Sequence, residues 1–128
     1  MNLLLDTCTF LWVLNGASDL SPRAANLVRS PEHDVFFSAA SAWEIAIKHG
    51  RGQLVLPERP ERYVPEARQS RGISPLSIDE ESALHVGRLP PLHRDPFDRM
   101  LVAQAIVHGL AILTPDPLIS QYPVRTMW

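Results

Sequence analysis

The chain has 128 residues, of which 45% are hydrophobic and 20% are charged, so one domain spanning residues 1–128 can bury a core of its own. A formal net charge of −2 excludes the overall positive field that attracts nucleic acids from a distance, although it is compatible with a local basic patch. No apolar run approaches the roughly 20 residues that cross a bilayer, no basic leader opens the sequence, and a single cysteine favours the reducing cytoplasm.

Short apolar runs alternate with helical segments along the whole chain. The predicted strands are residues 2–5, 35–37, 73–76, 111–114 and 124–127, and the predicted helices are residues 7–14, 21–29, 38–49, 61–71, 77–88 and 95–108. Pro75 argues for an edge position of the third strand, because proline cannot donate to a central ladder. Strands that alternate with helices favour parallel pairing. We therefore predict an α/β fold, a three-layer sandwich around a central, mostly parallel sheet of four to five strands.

The last long helix opens on an unusual acidic turn. Asp95 suits the N-cap position and Pro96 the first helical position, where a missing N–H costs nothing. The run that follows, residues 97–107, is nearly all apolar, yet Asp98 lies in its first turn. A buried carboxylate is costly unless something pairs with it. Asp98 therefore either completes a capping box with Asp95 or belongs to a catalytic site.

Three further acids follow strands or lie near helix starts. Asp6 ends the first strand, and its side chain could cap the next helix. Glu44 stands three residues after Ser41, which is the spacing of a capping box. Asp116 lies between two prolines, where a turn is expected. Each acid taken alone has a structural explanation.

Taken together, the acids predict a metal site. Ligands of doubly wound sheets gather beyond the carboxyl ends of the strands, and Asp6 and Asp116 both lie just past strand ends. At about 6 Å and an effective dielectric of ~20, each pair of negative charges costs roughly 2–3 kcal/mol, so clustered carboxylates need a cation or raised pKa values. Oxygen ligands suit Mg²⁺ or Mn²⁺, whereas the five histidines show no zinc-like spacing.

Four short segments, in this order and spacing, resemble the PIN-domain ribonucleases, in particular the VapC-type toxins of bacterial toxin–antitoxin pairs. They are residues 3–7 (LLLDT), 41–45 (SAWEI), 93–99 with 103–105 (HRDPFDR and AQA) and 113–116 (LTPD). The resemblance spans nearly the whole chain and implies the PIN fold. It also implies endonucleolytic RNA cleavage that depends on a divalent metal.

The resemblance implies a role for five residues. Asp6, Glu44, Asp98 and Asp116 match the acidic quartet of the family, and Thr114 matches its hydroxyl position. We expect Asp6 and Asp98 to hold Mg²⁺ or Mn²⁺ directly. Asp116 and Glu44 are expected to act directly or through bridging water. A water activated by the metal then attacks the phosphodiester.

Three neighbouring residues have two interpretations each. Asp95 is first a helix cap and second a metal ligand. Arg94 and Arg99 flank the acids and are candidates for binding substrate phosphates. Arg99 could equally pair with Asp95, four residues earlier, as a structural brace.

The family resemblance also implies partners. We expect an RNA substrate, a cognate antitoxin that occupies the active-site cleft, and a homodimer. Trp12, Trp43 and Trp128 are candidate interface anchors, although core packing is the expected position of Trp43.

Two rival functions remain open on the sequence. A Mg-dependent phosphatase of the aspartyl-nucleophile type also places an acid after its first strand, but it needs a second acid two residues later, where this chain has Cys8. A non-catalytic PIN-like binding module would make the acids dispensable. Substitutions of Asp6 and Asp98 separate that alternative from an enzyme.

Overall fold

Five parallel strands form one sheet, and helices cover both of its faces, in a computed structural model that describes residues 1–128. The strands are β1 (Asn2–Leu5), β2 (Asp34–Ser38), β3 (Ser74–Leu76), β4 (Ala111–Leu113) and β5 (Thr126–Met127). The helices are α1 (Thr7–Asn15), α2 (Pro22–Arg29), α3 (Ala39–Gly50), α4 (Pro60–Ser70), α5 (Glu80–His85), α6 (Pro96–His108) and α7 (Pro117–Ser120), with a 3₁₀ turn at Val86–Arg88. The predicted fold class is confirmed.

The strand order is β3-β2-β1-β4-β5, with β1 at the centre. Leu4 of β1 aligns with Phe36 of β2 on one side and with Ile112 of β4 on the other. The chain builds β2 and β3 to one side of β1 and then returns to place β4 and β5 on the other side. The strand order therefore reverses between β1 and β4. Strand β3, which contains Pro75, lies at an edge as predicted.

Alternation along β1 separates two hydrophobic cores. Leu3 and Leu5 face a core that α1 to α4 complete, for example through Phe10 and Ile45. Leu4 faces the opposite core, to which α6 contributes Leu101 and α7 contributes Ile119. Since successive strand residues point to opposite faces, an apolar run such as that of β1 is what a strand covered on both faces requires. These two cores are the two interfaces of the three-layer sandwich.

Helix α3 begins where it was predicted, at Ser38, but the capping box predicted at Ser41 and the predicted start of α5 are wrong. Helix α3 is capped by Ser38, whose Oγ accepts from Ala40 N at 3.0 Å, so Ser41 lies inside the first turn, fully buried. The Ser41–Glu44 capping box therefore does not form. Helix α5 is capped by Asp79, not by Ser77, whose carbonyl instead accepts from the side-chain amide of Gln104 on α6. In both cases strand pairing or packing between elements outweighs the local capping signal.

The carboxyl end of β4 leads into a helix that the sequence did not predict. Asp116 caps the four-residue helix α7 by accepting from Leu118 N at 2.9 Å, where a turn was expected. None of the helices is both long and apolar enough to cross a membrane.

Candidate active site

The carboxyl edge of the sheet collects the acidic side chains. Asp6 follows β1 and Thr114 follows β4, so they stand on either side of the point where the strand order reverses. Helices that connect parallel strands run back across the sheet, and α1, α3 and α6 therefore begin at this same edge. That topology brings Glu44 of α3 and Asp98 of α6 towards Asp6, although 38 and 92 residues separate them from it in sequence.

Asp6 occupies the N-cap position of α1, but its side chain makes no capping hydrogen bond. Instead, Thr114 Oγ1 donates to Asp6 Oδ2 at 2.8 Å and accepts from Asp116 N at 3.1 Å. Burial raises the pKa of Asp6, which is only 6% exposed; the hydrogen bond from Thr114 opposes that effect, and the charges of Asp116 and Glu44 add to it. Asp6, Thr114 and Asp116 thus form one hydrogen-bonded group.

Glu44 is buried and both of its oxygens are engaged. Thr7 Oγ1 donates to Glu44 Oε1 at 2.7 Å, and Lys48 Nζ lies 2.7 Å from Glu44 Oε2, one helical turn along α3. The hydrogen bond with Glu44 raises the pKa of Lys48. Because a lysine neutralises it, Glu44 brings less net negative charge to this edge of the sheet than Asp6 or Asp98.

Asp95 and Asp98 make different contacts at the start of α6. Asp95 Oδ1 accepts from Phe97 N at 2.8 Å and from Asp98 N at 3.2 Å, so the predicted helix cap is present. Asp98 does not reach back to complete a capping box; its Oδ2 lies 2.8 Å from Nε2 of His93. Burial raises the pKa of Asp98 to about 7; the contact with His93 opposes the shift, and the charges of Asp95, Asp6 and Glu44 add to it.

The closest set of possible metal ligands differs from the predicted one. Ligand atoms of His93, Asp95 and Asp98 lie within 4.8 Å of one another, whereas Asp6 and Asp116 lie outside this group. The sequence predicts no ligand role for His93, because the histidines lack zinc-like spacing. The usable signal was its place in the loop that leads into α6, two residues before the cap.

The two arginines that flank the start of α6 have different surroundings. Arg99 donates to the carbonyl oxygens of Val86 and Pro90 and to the hydroxyl of Tyr122, each at 3.0 Å. These contacts tie the loop to α6, and no ion pair joins Arg99 to Asp95, so the predicted brace is wrong. They also engage the guanidinium that was expected to bind phosphate. Arg94 is exposed and remains available to a substrate.

Trp43 is not in the core. Its side chain is 61% exposed, and its ring packs edge-on against Phe97 with 5.2 Å between the centroids. Helix α3 turns Ser41 and Ile45 inwards, which directs Trp43 outwards. Trp12 and Trp128 form a second edge-on pair, at 5.8 Å, and both are half-buried.

The donor set at this edge fits a divalent cation. Carboxylate oxygens dominate, and one imidazole nitrogen is within reach of them. Asp6 and Asp98 are held where burial disfavours their charged forms. A cation placed between such groups would favour the charged forms and remove the penalty. Carboxylate oxygens are ligands that hard divalent cations accept.

Fold and site together define a class: a parallel three-layer α/β domain with carboxylates gathered where its strand order reverses. The PIN domain family profile matches residues 3–124. The chain belongs to the PIN domain family.

Individual relatives agree with this placement. Over 69 residues the chain is 39% identical to Ribonuclease VapC16 of Mycobacterium tuberculosis, an alignment that covers 54% of this chain and 49% of that protein. The chain thus spans about half the length of this curated relative.

Solved structures share the fold over its whole extent. VapBC2 from Rickettsia felis, bound to a DNA fragment from its promoter, superposes with a TM-score of 0.74 at 15% identity, covering 99% of this chain and 98% of that one. DNA-bound VapBC from Salmonella typhimurium gives 0.68 at 23% identity, covering 99% and 97%.

Proposed function

We propose that this chain is an endoribonuclease that depends on Mg²⁺ or Mn²⁺ and acts as the toxin of a toxin–antitoxin pair. One observation carries the proposal: in a chain of the PIN family, the buried Asp6 and the partly buried Asp98 come from separate elements, and both have raised pKa values at one edge of the sheet. Burial of this kind destabilises a fold, so a function that needs those charges is its most direct explanation.

The proposed roles follow the surroundings of each acid. Asp6 and Asp98 hold the cation directly, and Asp116 contributes from the end of β4. Thr114 orients the Asp6 carboxylate through its 2.8 Å hydrogen bond. Glu44, already held by Thr7 and Lys48, acts on the site through bridging water.

Chemistry and substrate binding are then shared between the cation and the protein. When bound, the cation lowers the pKa of a water molecule and offsets charge on the phosphate oxygens. Asp95 keeps the first turn of α6 in place by accepting from two of its backbone N–H groups. Arg94, exposed beside the acids, contacts a substrate phosphate.

The proposed partners are an RNA substrate, a cognate antitoxin and a second copy of the chain. The antitoxin is suggested by the structural neighbours, which are VapBC complexes. Its expected position is the acidic cleft, where it would block the substrate. The exposed free thiol of Cys8 is consistent with action in the reducing cytoplasm.

Two experiments test the proposal. Expression of the wild-type chain should arrest growth, and Asp98→Asn should relieve the arrest. Purified protein should cut RNA after Mg²⁺ or Mn²⁺ is added, and this cleavage should stop in the presence of a chelator. The cut RNA should have defined ends that sequencing can map. Cleavage that persists in both Asp6→Asn and Asp98→Asn would disprove the assignment.

The alternatives have weaker support. A phosphatase of the aspartyl-nucleophile type needs an acid at the position of Cys8, and phosphate release without RNA cleavage would be its signature. A non-catalytic module gives no reason for raising the pKa values of both Asp6 and Asp98 at the same edge of the sheet. That alternative would be favoured if Asp6→Asn and Asp98→Asn each left every activity of the protein intact.

A further inference from the structure

The loop between the 3₁₀ turn and α6 is held by side chains that lie outside it. Arg99, in the first turn of α6, donates to the carbonyl oxygens of Val86 and Pro90, each at 3.0 Å. The side-chain amide of Gln121, at the end of α7, donates to the carbonyl oxygen of Leu92 at 3.2 Å. Because these contacts bind the backbone of the loop and not its side chains, they fix the path of the loop whatever its sequence.

The hydroxyl of Tyr122 joins this loop to α6. Tyr122 follows α7 and is only 3% exposed. Its oxygen accepts from the backbone N–H of His93 at 2.9 Å and from the guanidinium of Arg99 at 3.0 Å, and its O–H donates to the carbonyl oxygen of His93 at 3.4 Å. The backbone of His93 is therefore held on both its N–H and its C=O side by one buried group.

The imidazole of His93 points at an acid of the candidate site. Nε2 lies 2.8 Å from Oδ2 of Asp98, and the two side chains are only 17% and 13% exposed. An ionised carboxylate can only accept hydrogen bonds, so Nε2 is the donor when Asp98 is charged. The imidazole thus engages one oxygen of Asp98 and leaves Oδ1 without a partner in the chain.

A second histidine–aspartate pair shows what differs at Asp98. Nε2 of His108 lies 3.0 Å from Oδ1 of Asp79, whose Oδ2 accepts from Ser82 N at 3.4 Å as the cap of α5. Both oxygens of Asp79 are therefore used by the fold. Asp98 caps nothing, so its pairing with a histidine orients a carboxylate that keeps one oxygen free.

We propose that His93 is a positioning residue for the divalent cation: its Nε2–H holds Oδ2 of Asp98 and leaves Oδ1 to the ion. Tyr122 acts through His93, because its hydroxyl fixes the backbone that carries the imidazole. The inference rests on the proposed metal-dependent function and adds to it two residues that are not ligands. A nitrogen that donates to Asp98 cannot bind the ion with the same lone pair, so His93 supports the site without coordinating the cation.

Mn²⁺ binding, measured by calorimetry on purified protein without RNA, tests these roles apart from cleavage. His93→Ala should weaken Mn²⁺ binding by about 10- to 100-fold, which is the usual effect of losing a group that holds a metal ligand. His93→Gln should keep most of the affinity, because its amide can place an N–H donor close to the position of Nε2. Thermal unfolding of each variant, followed in parallel, confirms that the protein is folded during the titration.

Tyr122→Phe tests whether the hydroxyl acts through the imidazole. Alone it should weaken Mn²⁺ binding by about 2- to 10-fold, the effect of one lost hydrogen bond. In the His93→Ala background it should weaken Mn²⁺ binding no further, because no imidazole is left to be placed. Equal effects of Tyr122→Phe in the two backgrounds would overturn the proposed link between Tyr122 and His93.

Matched variants outside the site serve as controls. His108→Ala removes an imidazole that also pairs with an aspartate, and Tyr63→Phe removes a hydroxyl from α4. Neither should change the Mn²⁺ affinity by more than about twofold. If His93→Ala behaves like His108→Ala, His93 supports the fold alone and the inference is overturned.

Three further results separate the possible failures. Electron spin-echo spectra of the Mn²⁺-loaded wild type should show no directly bound nitrogen; a bound imidazole nitrogen would make His93 a ligand and overturn the positioning role. If the wild type cuts no RNA while His93→Ala weakens Mn²⁺ binding as expected, the proposed reaction fails and the positioning role stands. If the wild type cuts RNA and His93→Ala keeps full Mn²⁺ affinity, the reaction stands and the role of His93 is wrong.

Discussion

Two kinds of carboxylate stand side by side at the carboxyl edge of the sheet. Asp95 and Asp116 each accept backbone N–H groups through one carboxylate oxygen and cap helices, so the fold offsets part of their charge. Asp6 and Asp98 make no capping bond; Asp6 is buried, Asp98 is partly buried, and the pKa values of both are raised. The first pair is expected to stabilise the protein, since a cap contributes about 0.5–2 kcal/mol. The second pair is expected to destabilise it and to be free for chemistry.

The largest effect should follow the removal of one buried charge. Asp98→Asn should lower the rate of RNA cleavage by at least about 100-fold, because loss of even an outer-shell partner of a metal costs 10–100-fold. Cleavage assays on defined RNA measure this change. Glu80→Gln, an exposed carboxyl at the start of α5, is the control and should retain the wild-type rate. Equal cleavage rates for the two variants would show that Asp98 supports the fold and not the reaction.

The second prediction concerns stability and pH, with a chelator present. The folded-state pKa of Asp98 is about 7 against an ordinary value of 3.8, so the folded state holds this proton more tightly than the unfolded state. Binding of this proton therefore stabilises the folded state. That stabilisation is fully present below about pH 4 and is lost as the pH rises through the folded-state pKa of about 7. Since one pKa unit corresponds to about 1.4 kcal/mol, Asp98→Asn should be more stable than wild type at pH 7.5 by up to about 4 kcal/mol.

Urea unfolding of both proteins at pH 4.5, 6 and 7.5 measures that difference. The gap between them should widen with pH and should narrow when Mn²⁺ is added to the wild type. A gap that stays constant with pH would mean that Asp98 is not the group with the raised pKa.

A smaller change is expected at the hydroxyl that supports Asp6. Thr114→Val removes the donor to a buried carboxylate, which costs about 1–3 kcal/mol of stability and raises the pKa of Asp6 further. Mn²⁺ should therefore bind more weakly near neutral pH, as calorimetry would measure. Thr114→Ser keeps the donor and should preserve most of the stability and metal affinity. If valine and serine have the same effect, the hydroxyl does not support Asp6.

The smallest effect is expected at Asp95, where two substitutions distinguish the role of its side chain as a helix cap from the role of its negative charge. Asp95→Ala should lower the free energy of unfolding by about 0.5–2 kcal/mol, whereas Asp95→Asn, also a good cap, should change it little. Thermal unfolding measures both variants. Loss of Mn²⁺ affinity in the stable Asp95→Asn protein would show that this cap also ligates the ion, as its position near His93 and Asp98 allows.

Local signals predicted the parts of the fold that depend on neighbouring residues. The sequence predicts both the helix cap at Asp95 and the end of α6 before Gly109, which has a φ of 68°, because each depends on residues within one helical turn. The continuous apolar run of β1 likewise indicated a strand covered on both faces. Local signals failed where distant contacts compete, as at Ser41, whose capping pattern is outweighed by the extension of β2 to Ser38.

The sequence by itself determined the alternation of strands and helices, the edge position of Pro75 and the identity of the acids, because periodicity, backbone geometry and side-chain chemistry are local properties. Only the tertiary structure decided what each acid contacts. Thr7 reaches Glu44 across 37 residues and Thr114 reaches Asp6 across 108, and no local pattern records such pairs. The same holds for the exposure of Trp43, since which face of α3 meets the sheet depends on how the whole chain packs.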